Sequence, residues 1–165
     1  MEKARHEDKE ENMGKGYQIK CNKCSYEFEA LLGIGMRFPS EYAGTVEAIR
    51  NGDYGKRLQD LFRSHNNAVV NCEKELMVCT RCNCLKILPN MSAYLPKDGC
   101  AEAPAYVMAN DLEGYDKQFD YDHKCSCGGD MRIVDFPEDL MNGKLVCPEC
   151  GERLSFDPKN MILWD

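Results

Sequence analysis

Histidine is scarce in this chain and long apolar runs are missing. Only His6, His65 and His123 occur in 165 residues. None sits in a nucleophile motif, so a catalytic thiol would lack an activating base. No apolar stretch approaches the roughly 20 residues that a membrane helix needs, and no membrane partner is expected. The opening MEKARHEDKEENMGKG has no apolar core of a secretory signal. Residues 1–16 are therefore expected to form a charged, disordered tail, and the protein is expected to be cytoplasmic. A phosphate-cradling glycine loop, a hydrolase nucleophile elbow and a metalloprotease helix are also missing. These absences count against an enzyme without excluding one, and no catalytic or cofactor-binding residue is assigned.

Excess basic charge is another absence. The formal net charge is −7. Residues 1–84 hold 13 acids and 13 bases, whereas residues 85–165 hold 15 acids and 8 bases. Four thiolates around Zn²⁺ would add two further negative charges at each site. A protein that gains affinity by neutralising phosphates shows the opposite balance, so the charge disfavours nucleic acid as a partner. The acidic run Asp111, Glu113, Asp116, Asp120 and Asp122 reads as a solvated face. Arg50, Lys56, Arg57 and Arg63 have Glu47, Asp53 and Asp60 nearby and read as helix-surface pairing.

What the chain does have is cysteine, 11 residues of it. Eight fall into four close pairs: Cys21/Cys24, Cys79/Cys82, Cys125/Cys127 and Cys147/Cys150. Three pairs have the two-residue gap of a structural zinc knuckle. In a reducing compartment such thiols bind metal instead of forming disulfides, and an odd total fits a disulfide framework poorly. Taken in chain order, the pairs predict two zinc sites, Cys21, Cys24, Cys79 and Cys82 at one and Cys125, Cys127, Cys147 and Cys150 at the other. A closed four-thiolate site has no open position for substrate, so both ions are expected to be structural. Cys72 reads as a small buried hydrophobe and Cys100 as exposed in a connector. Cys84 could compete as a ligand, but the two-residue gap favours Cys79 with Cys82.

The pattern between the pairs predicts an α+β protein of two small zinc-held β-units, the first interrupted by helices. Residues 17–95 form the first unit. A hairpin carries Cys21–Cys24 at its tip, a helical insertion covers about 39–65, and a strand over 68–78 enters the knuckle at Cys79. Ser40 and Asp53 are the expected helix caps, with Asn51-Gly52 closing the first helix. Residues 96–120 are a connector with a short helix placing Leu112, Tyr115 and Phe119 on one side. Residues 121–165 form the second unit, with strands near 131–134, 144–146 and 154–156 and a loop over 135–143. The apolar tail Met161–Trp164 is expected to dock on that small sheet, its alternative being an exposed partner-binding tail.

Residues 125–151 resemble a zinc ribbon, and residues 17–88 resemble a second one interrupted by helices. The whole is similar to uncharacterised bacterial proteins with tandem zinc ribbons. One departure stands out: Cys125 and Cys127 enclose a single residue where such ribbons have two. Either the shorter loop presents both sulfurs, helped by Gly128-Gly129, or His123 replaces Cys125; the first is favoured. The Cys-Pro-x-Cys-Gly stretch 147–151 also resembles the knuckle of rubredoxin, which implies iron as the alternative metal. The reading reached is a zinc-binding interaction or adaptor module whose partner is another protein. A nucleic-acid-binding ribbon and a rubredoxin-like electron carrier are the alternatives.

Overall fold

The computed structural model describes residues 14–164. The described chain combines helices and small antiparallel sheets, an α+β fold as expected. It builds two compact units from interleaved segments. The cysteine unit comprises the described residues up to 35 together with 74–88 and 122–164, and the helical unit comprises 36–73 and 89–121. This division cuts across the consecutive units expected from the sequence. The insertion has a second half, residues 89–121, that the sequence reading treated largely as connector.

In the cysteine unit, β1 (Gly14–Cys21) and β2 (Glu27–Leu32) form the expected hairpin. Gly14–Gly16 already belong to β1, so the expected tail is strand at its last three residues; residues 1–13 lie outside the described chain. Ile19 and Ala30 are buried while Lys20, Glu27 and Glu29 are exposed, the alternation of a half-buried sheet. A second sheet has the order β5 (Leu85–Pro89), β4 (Lys74–Cys79), β8 (Met131–Ile133). The segment β9 (Leu154–Phe156) pairs with β1, and so does β10 (Ile162–Trp164). The apolar tail therefore docks on the N-terminal strand, with Trp164 Nε1 donating to the Leu32 carbonyl at 3.2 Å. The neighbouring strand β9 belongs to this same sheet and β8 to the second one, so of the small sheet expected to receive the tail only the 154–156 strand shares its sheet. Both sheets contribute to one apolar core: Ile19, Ala30, Leu76, Val78, Leu85, Val134, Leu140, Leu145 and Leu154 are buried together.

The 135–143 stretch, expected as a loop, contains a short helix, Glu138–Met141. Its anchor is Asp139, which is 2 % exposed. Its carboxylate accepts from Arg132 at 2.8 Å, from Lys144 at 3.1 Å and from the Asp135 N–H at 3.1 Å. The Arg132 and then the Lys144 hydrogen bonds hold the Asp139 carboxyl down to about 2. The strand expected at 144–146 reduces to a single bridge between Val146 and Arg153.

In the helical unit, α1 (Phe38–Asn51) and α2 (Lys56–Ser64) realise the expected insertion. Helix α1 starts before Ser40: Arg37 is its N-cap, Pro39 occupies the first turn, and the Ser40 hydroxyl donates to the Arg37 carbonyl at 2.8 Å. It buries Phe38, Tyr42 and Ile49 and ends at Gly52, which is left-handed and donates to the carbonyls of Ala48 and Ile49. Helix α2 follows Gly55, not Asp53, and buries Leu58 and Phe62 one turn apart. Each of those side chains contributes about 1.5–3 kcal/mol by leaving water.

The strand expected over 68–78 breaks in two: β3 (Val69–Val70) stays in this unit and β4 belongs to the other. At the break the Asn71 side chain accepts the Glu73 N–H at 3.0 Å, replacing a ladder partner. The third sheet runs β3, β6 (Ala93–Pro96), β7 (Tyr115–Phe119). Tyr115 and Phe119 were expected on a helix. A 3-10 turn, Ala109–Gly114, precedes them, and they form the half-buried ends of β7. Residues four apart share a face in a strand as well as in a helix, so their spacing does not separate the two. Cys72 is buried, as expected, and burial pushes its thiol up to about 12. Cys100 is exposed.

Candidate metal centres

Each cysteine pair sits where a short hairpin reverses. Three corners share one backbone pattern: the N–H of the first cysteine donates to the carbonyl five residues on. The pairs are Cys21 to Tyr26 at 2.9 Å, Cys79 to Cys84 at 3.0 Å and Cys147 to Glu152 at 2.7 Å. This reversal turns the N–H of the residue two positions on towards the first sulfur. Lys23 meets Cys21, Arg81 meets Cys79 and Glu149 meets Cys147, each at 3.4 Å. Cys24 and Cys82 add a second N–H to the first two sulfurs at 3.5 Å.

The fourth corner is one residue shorter and closes one residue earlier, Cys125 N–H to Gly129 carbonyl at 2.9 Å. Gly128 adopts φ +82°, a left-handed conformation that glycine takes without a steric cost. A Cβ on Gly129 would lie 2.7 Å from the Cys79 sulfur and 2.8 Å from Arg81 Cβ. With both glycines, the Cys-Ser-Cys loop places both of its sulfurs in a cluster. His123 is in neither cluster; its carbonyl accepts the Met131 N–H at 3.0 Å.

The sulfurs gather as Cys21, Cys24, Cys147 and Cys150, and as Cys79, Cys82, Cys125 and Cys127. Within each group all four sulfurs lie within 4.8 Å of one another. All eight expected residues are used, but the grouping differs from the chain-order partition, which joined Cys21/Cys24 to Cys79/Cys82 and Cys125/Cys127 to Cys147/Cys150. Strand pairing is the reason. Strand β9 lies along β1 with Cys21 opposite Leu154, which brings the last corner to the first. Strand β8 lies along β4 with Cys79 opposite Met131, which brings the third corner to the second. The two centres are nested, outer with outer and inner with inner.

Contacts across each ring fit a four-coordinate ion. Four sulfurs on a tetrahedron with bonds of about 2.3 Å are about 3.8 Å apart. The structure has Cys21 to Cys150 at 3.5 Å and Cys24 to Cys147 at 3.6 Å in the outer ring. The inner ring has Cys79 to Cys127 at 3.4 Å and Cys82 to Cys125 at 3.8 Å. Amide N–H groups favour the thiolate form at Cys21, Cys79 and Cys125, while Cys24, Cys82, Cys127 and Cys150 are raised beside their thiol neighbours. The N–H groups of Cys24 and Lys23 lower Cys21 to about 7. Cys79 is lowered mainly by the Cys82 N–H. The Cys127 N–H, followed by a contact from Cys84, lowers Cys125 to about 6.

Several supporting residues carry no sequence signal. Arg81 donates to the Cys127 carbonyl at 2.8 Å, and Thr80 N–H donates to the Asp130 carbonyl at 2.9 Å, clamping the two inner corners. Ser155 donates to the Asn22 side chain at 2.7 Å across the outer centre. Cys84, a possible competing ligand from the sequence, is not in the ring: its sulfur is 3.4 Å from that of Cys125, outside the mutually close four.

Two four-cysteine clusters able to hold metal define the class of this protein as far as the fold and site allow, and they are consistent with zinc-ribbon-like centres. Compared with known proteins, the chain matches no family model, no curated protein and no solved structure. No described helix is long and apolar enough to cross a membrane.

Proposed function

We propose that this is a zinc protein of the interaction or adaptor type, in which two structural Zn²⁺ ions hold a β-core that presents surfaces to another protein. The ligands are Cys21, Cys24, Cys147 and Cys150 for one ion and Cys79, Cys82, Cys125 and Cys127 for the other. The observation that carries the reading is the closure of both rings. Four sulfurs at tetrahedral spacing, with amide N–H groups on the first cysteine of each two-residue knuckle, leave no position for a substrate. Cys21, Cys24 and Cys147 of the outer ring pack with the apolar core, and Val78, next to Cys79 of the inner ring, belongs to it, which suits a structural role.

Three of the basic residues that would favour a nucleic-acid reading are engaged within the protein. Lys20 pairs with Glu27 at 3.2 Å, Arg81 is held by the Cys127 carbonyl, and the Arg57 guanidinium stacks 4.0 Å from the Phe119 ring. Iron is the competing metal, because four thiolates in a tetrahedron suit both. Metal analysis of protein purified without chelators tests the reading, together with affinity capture from the native host. Two zinc per chain, a colourless solution and a specific protein partner are expected. A red, iron-containing protein with reversible one-electron chemistry would replace the adaptor reading with an electron carrier.

A further inference from the structure

Besides its shorter corner, the inner metal centre differs from the outer one in having a fifth sulfur beside it. In each two-residue knuckle the carbonyl of the residue five after the first cysteine closes the turn. At the outer centre that residue is Tyr26 in one knuckle and Glu152 in the other; at the inner centre it is Cys84. The Cys84 sulfur lies 3.4 Å from the sulfur of Cys125, closer than Cys125 comes to its ring neighbour Cys82 at 3.8 Å. Cys84 is half-buried, so a small oxidant reaches it, whereas Cys125 is 6 % exposed. The outer ring has no extra thiol in the described chain. Its sulfur–sulfur contacts run among Cys21, Cys24, Cys147 and Cys150. Cys72 and Cys100 lie in the helical unit.

We propose that Cys84 is a peroxide-modification site that forms a disulfide with Cys125 and thereby discharges the inner centre selectively. The proposal rests on the metal-binding reading above. The co-reactant is a two-electron peroxide oxidant. Its O–O bond breaks as the Cys84 sulfur takes one oxygen to become a sulfenic acid, and water leaves. The Cys125 thiolate then attacks the Cys84 sulfur; the S–S bond forms, the S–O bond breaks, and the departing hydroxide takes a proton to become water. Together one thiol, one thiolate, one hydrogen peroxide and one proton give one disulfide and two waters. The two sulfurs are oxidised by two electrons and the peroxide is reduced by two. The ring is left with three thiolates, one short of the closed set that holds a structural ion.

The test uses the purified full chain, its metal content measured first, treated with hydrogen peroxide at about one equivalent per chain in the presence of a chromophoric zinc chelator. Peptide mapping without reduction follows. A rapid release of one zinc per chain is expected, with a Cys84–Cys125 disulfide and intact outer-ring thiols. In Cys84→Ala the rapid phase should disappear while the starting metal content stays at two. Cys84→Ser, closer in shape to cysteine and equally unable to form the bond, guards against a packing effect. Release from both centres at one rate, a rapid phase that persists in both variants, or a disulfide confined to ring cysteines would overturn the proposal. Protein that carries no metal at the outset would instead defeat the metal-binding reading, and the disulfide map would still decide whether Cys84 and Cys125 couple.

Discussion

At the scale of single residues, identity matters less than which partner a residue meets. Cys21 and Cys150 are 129 positions apart and their sulfurs are 3.5 Å apart. Cys21→Ser and Cys150→Ser should therefore each lower metal content by about one ion per chain, and the double variant should lose no more than either single one. Combining Cys21→Ser with Cys79→Ser should lose both ions. Chain-order grouping reverses these outcomes, so elemental analysis of the two double variants decides between them. Gly129→Ala should cost the inner ion alone, because the added Cβ meets the Cys79 sulfur.

Asp139 gives a pH-dependent case. Its folded-state carboxyl lies at about 2, below the ordinary carboxylate value near 3.9. A depressed pKa contributes stability that is present above the ordinary value and lost as pH falls through the folded value. Thermal melts should accordingly show Asp139→Asn less stable than the parent at neutral pH, with the difference shrinking below about pH 4 and closing near pH 2. A constant difference across that window would show that Asp139 acts through packing instead.

Elements show where periodicity informs and where it misleads. The 38–64 helices were legible because their apolar residues recur at helical spacing and Asn51-Gly52 marks a stop. Their starts were not: capping rules favoured Ser40 and Asp53, while burial of Phe38 and the left-handed Gly55 decided otherwise. Tyr115 and Phe119 fit either element, and pairing with β6 selected strand. At this scale the shared core is testable. Leu76 is 2 % exposed within the apolar cluster of the cysteine unit, and Leu76→Ala should cost about 2–5 kcal/mol in denaturant unfolding. Loss of metal from both centres should follow more readily than in the parent.

For the whole molecule, the cysteine unit and the helical unit each have their own buried residues, but only the former contains the sulfur rings. Metal removal should therefore act unequally. With a strong chelator, circular dichroism should lose its β-sheet contribution and near-ultraviolet fine structure while much of the helical signal persists. Re-addition of zinc should restore it. A single cooperative loss of all structure would mean that the helical unit cannot stand without the metals.

Composition and spacing determined, without any structure, that this chain carries four thiol corners, two helices between them and an α+β architecture. Those features depend on residues a few positions apart, where turn geometry and periodicity act locally. Tertiary structure alone decided which corners meet, that 89–121 joins the helical unit, and that Cys84 stands beside Cys125. Each of these depends on strands pairing across tens of residues. Four thiol corners can be joined in several ways, and the packing of β1 with β9 and β4 with β8 separates them.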